Sequence, residues 1–471
     1  MEHKIKRDLQ LINLVSDFET KFEQGNIDYV EEKTIYQLIE YYESEFQIEK
    51  AMEVVDVALE QFPYRSDFYL IKARLFLADN KIDLCLKQLK DAETVSPYEK
   101  EILLLRIKAH CAKKNIKEAK LILEDLKSTC LEGDLIDYFI AESYFFEASK
   151  EYKAMYSSLK QALKIDSGNA EALERFWVAV DLSREYENSI AFHKAIIDEN
   201  PYNHLAWYNL GLSYSFNWEY DKAIEALEYS FIINPSFELG YLECAEICLQ
   251  EMKVKKALEI YIDANNRFGP ECDFMVNIAS CYLQLDKIAE AKMTLLKSLR
   301  IEAHNEEIYF LLGEAYAKSG SWYSAINAYL KAIDIDDSRE EFFLSLAKAY
   351  VQVEDYNKAT INFHKATKVC MEDSLYWREY ACFVIRLGLY DEALQILDEA
   401  DEHTFGADLL YCRAITLFFM KRKKEGLEIL TEALEEDFEM HRIIFELAPE
   451  LEVDKDINSM IRYYQREFGD Y

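Results

Sequence analysis

Glycine and proline are scarce in this chain of 471 residues, which contains 12 and 6 of them. Their scarcity favours helices joined by short turns and argues against a long flexible linker. No run of about 18 apolar residues occurs, so the sequence predicts no membrane-spanning helix. The apolar stretch near the N-terminus is flanked by Asp8 and Asp17 and has no small-residue cleavage site, which argues against a secretory signal.

Positive charge is also in short supply: 54 basic residues stand against 88 acidic ones, for a net charge of −34. Like-charge repulsion argues against nucleic acid as a partner, and equally against an anionic membrane surface. We interpret the acidic side chains as solvated helix faces that keep a long chain in solution. A dedicated site for basic partners is the alternative.

The ten cysteines show neither a CxxC pair nor a paired framework. This usage fits a reducing compartment, and we predict a cytoplasmic location. Cys244 and Cys248 lie one helical turn apart and could hold a metal ion, but their positions favour small packing residues. We therefore expect buried thiols there, and we predict no metal and no cofactor.

An internal repeat organises the rest of the chain. Residues spaced i, i+3, i+4 and i+7 share one stripe of a helix, and a second helix with two small or apolar residues four apart follows before a proline. The clearest copy carries Trp207, Leu210, Gly211, Tyr214, Ala223, Leu227 and Pro235. Because one helix pair cannot bury its apolar face alone, such units must stack.

These residues resemble the tetratricopeptide repeat (TPR) family from about residue 32 to 439, and the seven consecutive units over 204–439 make the resemblance specific. The resemblance implies an all-α, right-handed superhelical solenoid of about twelve helix-turn-helix repeats with capping helices at both ends. The chain looks like a bacterial cytoplasmic TPR protein made almost entirely of repeats.

The sequence predicts four segments: an N-terminal capping helix (1–31), less regular repeats (32–203), regular repeats (204–439) and C-terminal capping helices (440–471). The apolar stripes expected on the two caps are Ile5, Leu9, Ile12 and Val15 or Phe18 at the N-terminus and Ile457, Ile461, Tyr464 and Phe468 at the C-terminus.

In this family the first helix of each pair lines a concave groove that binds peptides or partner proteins. The groove residues implied by the resemblance are Tyr208, Leu212, Phe216, Glu246, Gln250, Phe310, Glu314, Lys348, Gln352, Arg378 and Arg386. We expect three exposed aromatic anchors, Tyr208, Phe216 and Phe310. Glu246 and Glu314 would make the middle of the groove acidic, and the Lys and Arg residues would make its later part basic. The alternative is that the aromatic rings pack on the next repeat.

Motifs for catalysis are missing: the sequence has no HExxH, P-loop, GxGxxG or GxSxG. His110 and His193 fall at repeat-core positions, where a packed histidine is expected over a metal ligand. The basic run from Lys421 to Lys424 falls where an inter-helix turn belongs. We interpret it as a solvated turn, with a contact for an acidic partner as the alternative.

The sequence therefore predicts a non-catalytic scaffold or adaptor that binds one or more proteins or extended peptides. Two other functions stay open: an enzyme or the regulatory or assembly subunit of one, and a self-associating element that forms homo-oligomers. The enzyme hypothesis is the weaker one because repeats and caps use nearly every residue.

Overall fold

The computed structural model describes residues 2–24 and 29–468, and within these ranges it contains helices and turns but no β-strand. The chain divides into two compact units, Met1–Ile247 and Cys248–Tyr471. The predicted all-α repeat architecture is confirmed. The right-handed superhelical course of the whole chain and the four segment boundaries stay predictions.

The first unit contains thirteen complete helices in its described residues. They are α1 (Glu2–Glu23), α2 (Glu32–Ser44), α3 (Ile48–Gln61), α4 (Ser66–Ala78), α5 (Ile82–Val95), α6 (Lys100–Ala112), α7 (Ile116–Thr129), α8 (Leu135–Ala148), α9 (Tyr152–Ile165), α10 (Ala170–Ser183), α11 (Tyr186–Glu199), α12 (His204–Phe216) and α13 (Tyr220–Ile233). The boundary between the units falls within α14 (Glu238–Gln250).

The second unit continues with helices of similar length, apart from the shorter α23 and α26. They are α15 (Val254–Phe268), α16 (Cys272–Gln284), α17 (Ile288–Ile301), α18 (Glu306–Lys318), α19 (Trp322–Ile335), α20 (Glu340–Gln352), α21 (Tyr356–Val369), α22 (Ser374–Arg386), α23 (Tyr390–Ala400), α24 (Ala407–Phe419), α25 (Lys423–Glu436), α26 (Arg442–Leu447) and α27 (Lys455–Phe468). Short 3₁₀ turns over Glu132–Asp134, Phe438–His441 and Pro449–Val453 precede α8, α26 and α27.

The same turn conformation recurs between the two helices of each pair from α2/α3 to α24/α25. A single residue there adopts the left-handed conformation, and the next N–H often donates to a carbonyl five residues back, as Glu219 does to Tyr214 at 2.9 Å. This is the hydrogen bond of a Schellman motif, which satisfies carbonyls at a helix end. The left-handed residues are Phe46, Asn80, Lys114, Lys150, Arg184, Trp218, Met252, Asp286, Gly320, Glu354, Gly388 and Lys421.

The repeats stack through their first helices. In the first unit α6 contacts α4 and α8, and α10 contacts α8 and α12. In the second unit α18 contacts α16 and α20, and α22 contacts α24. Within a pair, small residues let the two helices approach closely: at Gly211 an added Cβ would lie 2.6 Å from the Leu227 side chain on the paired helix.

The ends of the described chain pack on the neighbouring repeats. Val15 and Phe18 of α1 are buried in one cluster with α2 and α3, and Ile457, Ile461 and Tyr464 of α27 are buried as well. The side chains of Ile5, Leu9, Ile12 and Phe468 lie outside the described part.

The basic run at residues 421–424 is only partly a turn, which corrects the interpretation from sequence. Lys421 and Arg422 form the turn, whereas Lys423 begins α25. The Lys423 ammonium lies 2.7 Å from carboxylate oxygens of Asp454 and Asp456, at the start of α27. Ion pairs therefore connect the N-terminal end of α27 to the last repeat.

Candidate binding groove

A pocket of about 880 Å³ lies in the second unit, among the first helices of consecutive pairs. Its wall comes from α18, α20 and α22, from the first residues of α19 and α21, and from α26 near the C-terminus. We call it the groove pocket. A volume of this size is within the range of about 300–1,000 Å³ typical of ligand sites.

One side of the groove pocket is apolar. Trp322 and Tyr356 are the first residues of their helices, so the turn before each helix places its ring at the same edge of the stack. The Phe383 ring lies 4.9 Å from that of Phe363 and 6.2 Å from that of Tyr356. With Leu387 these rings form a surface that can receive an apolar side chain.

Trp322 and Tyr356 lie on second helices, so a prediction based on first helices alone missed them. The sequence nevertheless contains a signal for them. An aromatic residue recurs at the first position of the second helix, usually 34 residues apart. The series is Tyr152, Tyr186, Tyr220, Trp322, Tyr356 and Tyr390.

The groove pocket is also lined by charged residues, and three of them are paired with one another. The Glu379 carboxylate lies 2.9 Å from the Lys348 ammonium and 3.3 Å from the Arg378 guanidinium. Arg378 also lies 3.9 Å from the buried Asp408, which accepts a hydrogen bond from the Ser374 hydroxyl at 3.0 Å. Burial raises the pKa of Glu379, but Lys348 and Arg378 outweigh it and the net shift is downward. Glu379 is therefore ionised at neutral pH.

Arg386 differs from the other cations of the pocket. It is exposed at the C-terminal end of α22, lines the pocket, and makes no salt bridge with any residue in the described ranges. Gln352, also exposed at the wall, likewise makes no hydrogen bond within those ranges through its side chain. The pocket thus presents unpaired hydrogen-bond donors next to an apolar surface.

The helix α26, which lies after the last repeat, also contributes to the wall of the pocket. α26 packs on α24, with Ile444 fully buried. Its residues Ile443, Glu446 and Leu447 line the pocket. Sequence reasoning missed this contribution because residues 440–471 leave the repeat, and no periodicity indicates that they line a pocket together with a first helix four helices back.

The structure brings five of the predicted groove residues together in this pocket: Glu314, Lys348, Gln352, Arg378 and Arg386. Glu314 accepts a hydrogen bond from the Tyr329 hydroxyl at 2.6 Å. Glu379 and Glu446 also lie in the later part of the groove, and two of its three cations are paired, so this part is mixed in charge and not uniformly basic. The binding role of these residues stays a prediction.

The expectation that Tyr208 is exposed is wrong. Its ring is buried against Phe237 of the next turn, with centroids 5.0 Å apart and planes near perpendicular, and the predicted groove residue Leu212 is buried as well. Phe310 is half-buried, 4.8 Å from Phe342 of the following repeat. For Tyr208 and Phe310 the alternative of packing on the next repeat is therefore correct.

Phe216 keeps 43% of its surface exposed although it stacks on Tyr186 at 5.4 Å. Glu246 and Gln250 are both exposed on α14. They lie on either side of the boundary between the two units, in the first and the second respectively. For these three residues the predicted groove role stays a prediction.

The titratable residues considered as metal ligands are packed in the core. No three His, Cys, Asp or Glu side chains of the described residues lie together as a metal site would require. Cys244 and Cys248 are fully buried, as expected. Burial lowers the pKa of His193 to about 4, and its Nδ1 lies 3.0 Å from the Ser189 carbonyl. Across the part of the chain that the structure covers, no helix is both long and apolar enough to cross a membrane.

Paired helices of this length, stacked first helix on first helix, define a tetratricopeptide repeat architecture. The tetratricopeptide repeat family model matches residues 204–235, 273–305 and 306–339. A second model, described as YpiA-like, C-terminal tetratricopeptide repeats, matches residues 341–403, which include much of the groove pocket. The matched residues are thus tetratricopeptide repeats, and proteins with such repeats generally act as scaffolds for protein interactions.

Among curated proteins, the chain is similar to the TPR repeat-containing protein YpiA of Bacillus subtilis (strain 168). The two are 22% identical over 355 residues, which cover 75% of this chain and 84% of the relative. Two solved structures are similar at lower identity. A tetratricopeptide repeat protein from Parabacteroides merdae has a TM-score of 0.40 and 16% identity, over 56% of this chain and 98% of that one.

The second solved structure, the Cut9–Hcn1 hetero-tetramer of the APC/C, has a TM-score of 0.38 and 14% identity. The likeness covers 85% of this chain and 83% of that one. Similarities of this degree carry no information about function.

Proposed function

We propose that the groove pocket of the second unit binds an extended segment of a partner protein, and that the chain is a non-catalytic interaction scaffold. The observation that supports this most is the combination in one pocket of an apolar wall with an arginine that makes no salt bridge to any described residue. Arg386 faces the same space as Trp322 and Tyr356. A charged group that remains solvated while its neighbours are paired is available to a ligand carboxylate.

The chemistry of the pocket defines the kind of segment that fits. An apolar side chain of the segment would contact Trp322, Tyr356 and Phe383, and a carboxylate would pair with Arg386. Glu446 of α26 offers an exposed acidic group to a basic residue of the partner's segment. The partner segment is thus partly apolar and mixed in charge. A cytoplasmic location and the exclusion of nucleic acid remain predictions from composition.

The experiment is affinity capture of partners from a lysate of the source cells, with two variants of the pocket. Arg386→Glu reverses the unpaired charge, and Trp322→Ala removes part of the apolar wall. Two matched controls lie in the second unit but outside the pocket. Arg300 is exposed on α17 with no salt bridge in the described ranges, and Tyr323 is 74% exposed next to Trp322.

We expect both pocket variants to lose the same captured proteins, while Arg300→Glu and Tyr323→Ala retain them. Losing a buried aromatic anchor of an interface typically costs about 2 kcal/mol or more, or roughly thirtyfold in affinity. Equal capture by all four variants would show that the pocket is not the binding surface. Light scattering on the purified protein separates a second copy of the chain from a different partner as the occupant.

A further inference from the structure

Two cysteines meet at the wall of the groove pocket. Cys382 on α22 and Cys412 on α24 have their sulfur atoms 3.7 Å apart. Cys382 is partly exposed and lines the pocket, whereas Cys412 is fully buried behind it. Because α22 and α24 pack directly on each other, the tertiary structure holds this contact between residues thirty positions apart in sequence.

The surroundings favour the thiolate form of the outer cysteine. The Cys412 thiol lowers the pKa of Cys382, while burial and Glu379 raise it and Arg386 and Arg378 lower it, so that the net shift is downward. The two arginines lie one helical turn before and after Cys382 on α22. The thiolate is the reactive form of cysteine, and here it would face the solvent-accessible pocket.

Other cysteines of the chain have the opposite environment. Burial raises the pKa of Cys85 to about 11, that of Cys111 to about 12 and that of Cys281 to about 11. All three side chains are buried in repeat cores. They serve as internal controls, because an oxidant that acts by general exposure or unfolding would modify them as well.

We propose that Cys382 and Cys412 form a redox-sensitive dithiol, in which an oxidant that reaches the pocket links the two sulfur atoms by a reversible disulfide. With a peroxide, the Cys382 thiolate attacks the O–O bond and becomes a sulfenic acid, and the peroxide's other oxygen leaves as water after taking up a proton. The Cys412 thiol then attacks the sulfenic sulfur, the S–S bond forms, and the S–O bond breaks to release a second water. Two thiols lose two electrons, and one peroxide is reduced.

Formation of the disulfide requires only a small movement of the two cysteine side chains. The sulfur atoms must approach from 3.7 Å to a bond length of about 2.05 Å. The direction of the reaction also follows from the structure, because only the outer thiol meets solvent in the pocket and the inner thiol can act only as the resolving group. A small thiol reductant reverses the bond by exchange at the outer sulfur. The dithiol chemistry is independent of what the pocket binds.

The test uses the full-length protein, reduced, freed of reductant, and treated with hydrogen peroxide before alkylation and digestion with trypsin without reductant. Cys382 lies in the tryptic peptide 379–386 and Cys412 in 387–413, and neither peptide contains another cysteine. We expect these two peptides to appear joined, two hydrogen masses below their sum, and to separate after dithiothreitol. Cys85→Ser is the matched control and leaves the linkage intact.

Single variants test the order of the steps. In Cys412→Ser the sulfenic acid on Cys382 persists and is labelled by dimedone, whereas in Cys382→Ser the buried Cys412 stays unlabelled. Circular dichroism checks that each variant keeps its helices, and Cys412→Ala replaces the serine variant if the helices are lost. The proposal is overturned if no joined peptide forms in the folded protein, or if dimedone labels Cys85 as readily as Cys382.

Discussion

Gly388 occupies the left-handed position of the turn between α22 and α23, with φ at 76°. No atom lies within 4 Å of the place where a Cβ would be added, so a substitution there meets no steric contact. Ten of the corresponding turns in the described chain hold a residue other than glycine in the same conformation. A substitution at Gly388 therefore tests the backbone cost alone.

The expected magnitude follows from two opposing effects. A residue with a Cβ in the left-handed region costs about 1–2 kcal/mol. The smaller freedom of alanine in the unfolded chain recovers about 0.4–1 kcal/mol. Gly388→Ala should thus destabilise the α22/α23 pair by about 1 kcal/mol. Gly388→Val should cost more because a β-branched side chain is disfavoured there, and Gly388→Asn should cost little because asparagine tolerates this conformation.

The assay is native-state hydrogen exchange, since a stack of repeats opens locally and a single unfolding free energy is not well defined for it. The amide of Leu389 donates to the Val384 carbonyl at 3.2 Å, and that of Ala393 donates to the Leu389 carbonyl at 3.0 Å. A loss of about 1 kcal/mol should speed exchange at these amides about fivefold.

The control is Gly133→Ala, at a turn glycine that has no neighbour within 4 Å and no left-handed φ. It should leave exchange in its own turn unchanged or slightly slower, because only the unfolded-state effect applies. If valine, alanine and asparagine at Gly388 gave the same exchange rates as glycine, the backbone argument for the turn would be wrong.

Three further outcomes are expected. Burial lowers the pKa of His193 to about 4, below its unfolded value near 6.5. The folded state holds this side chain neutral, so the protein keeps its full stability above pH 6.5 and loses stability as the pH falls towards 4. The loss is about 2 kcal/mol by pH 5. Native-state hydrogen exchange in α11, compared between the wild type and His193→Gln at each pH, should show that the variant lacks this part of the pH dependence. Trp377→Ala should lower the stability of its repeat by about 3–5 kcal/mol because the side chain is fully buried. Trp218 is 80% exposed, and Trp218→Ala should lower stability by less than about 1 kcal/mol. Hydrogen exchange in each repeat measures both effects. Lys423→Ala should speed exchange in α27 by severalfold at low salt and less at high salt, since its ion pair with Asp454 is exposed to solvent; equal effects at both salt concentrations would contradict the ion-pair origin.

The positions of apolar and small residues were enough to predict the helices and their pairing. Trp207, Gly211 and Tyr214 share one face only if the segment is helical, and Ala223 and Leu227 then match that face from the second helix. The same spacing repeated along the chain predicts stacking, because an isolated pair would leave its apolar stripe in water. These are local properties, and each repeat contains the information for its own fold.

The groove was predictable only in part. The period placed Lys348, Arg378 and Arg386 on one face of the first helices, and the structure brings them to one pocket. It did not show that Glu379 would pair with both Lys348 and its neighbour Arg378, because the contact with Lys348 depends on the distance between side chains of different repeats. It also did not show that Tyr208 would be covered by Phe237, a residue of the next turn.

The sequence by itself determined the helix pairs, their number and the face on which each first helix meets its neighbours, because periodicity is a property of the chain alone. Only the tertiary structure decided that α26 lines the pocket, that Arg386 makes no salt bridge within the described part of the chain, and that Cys382 meets Cys412. The physical reason is that these contacts join residues from different helices. Their energies depend on the angle and distance at which one helix packs on another, and no single stretch of sequence encodes those quantities.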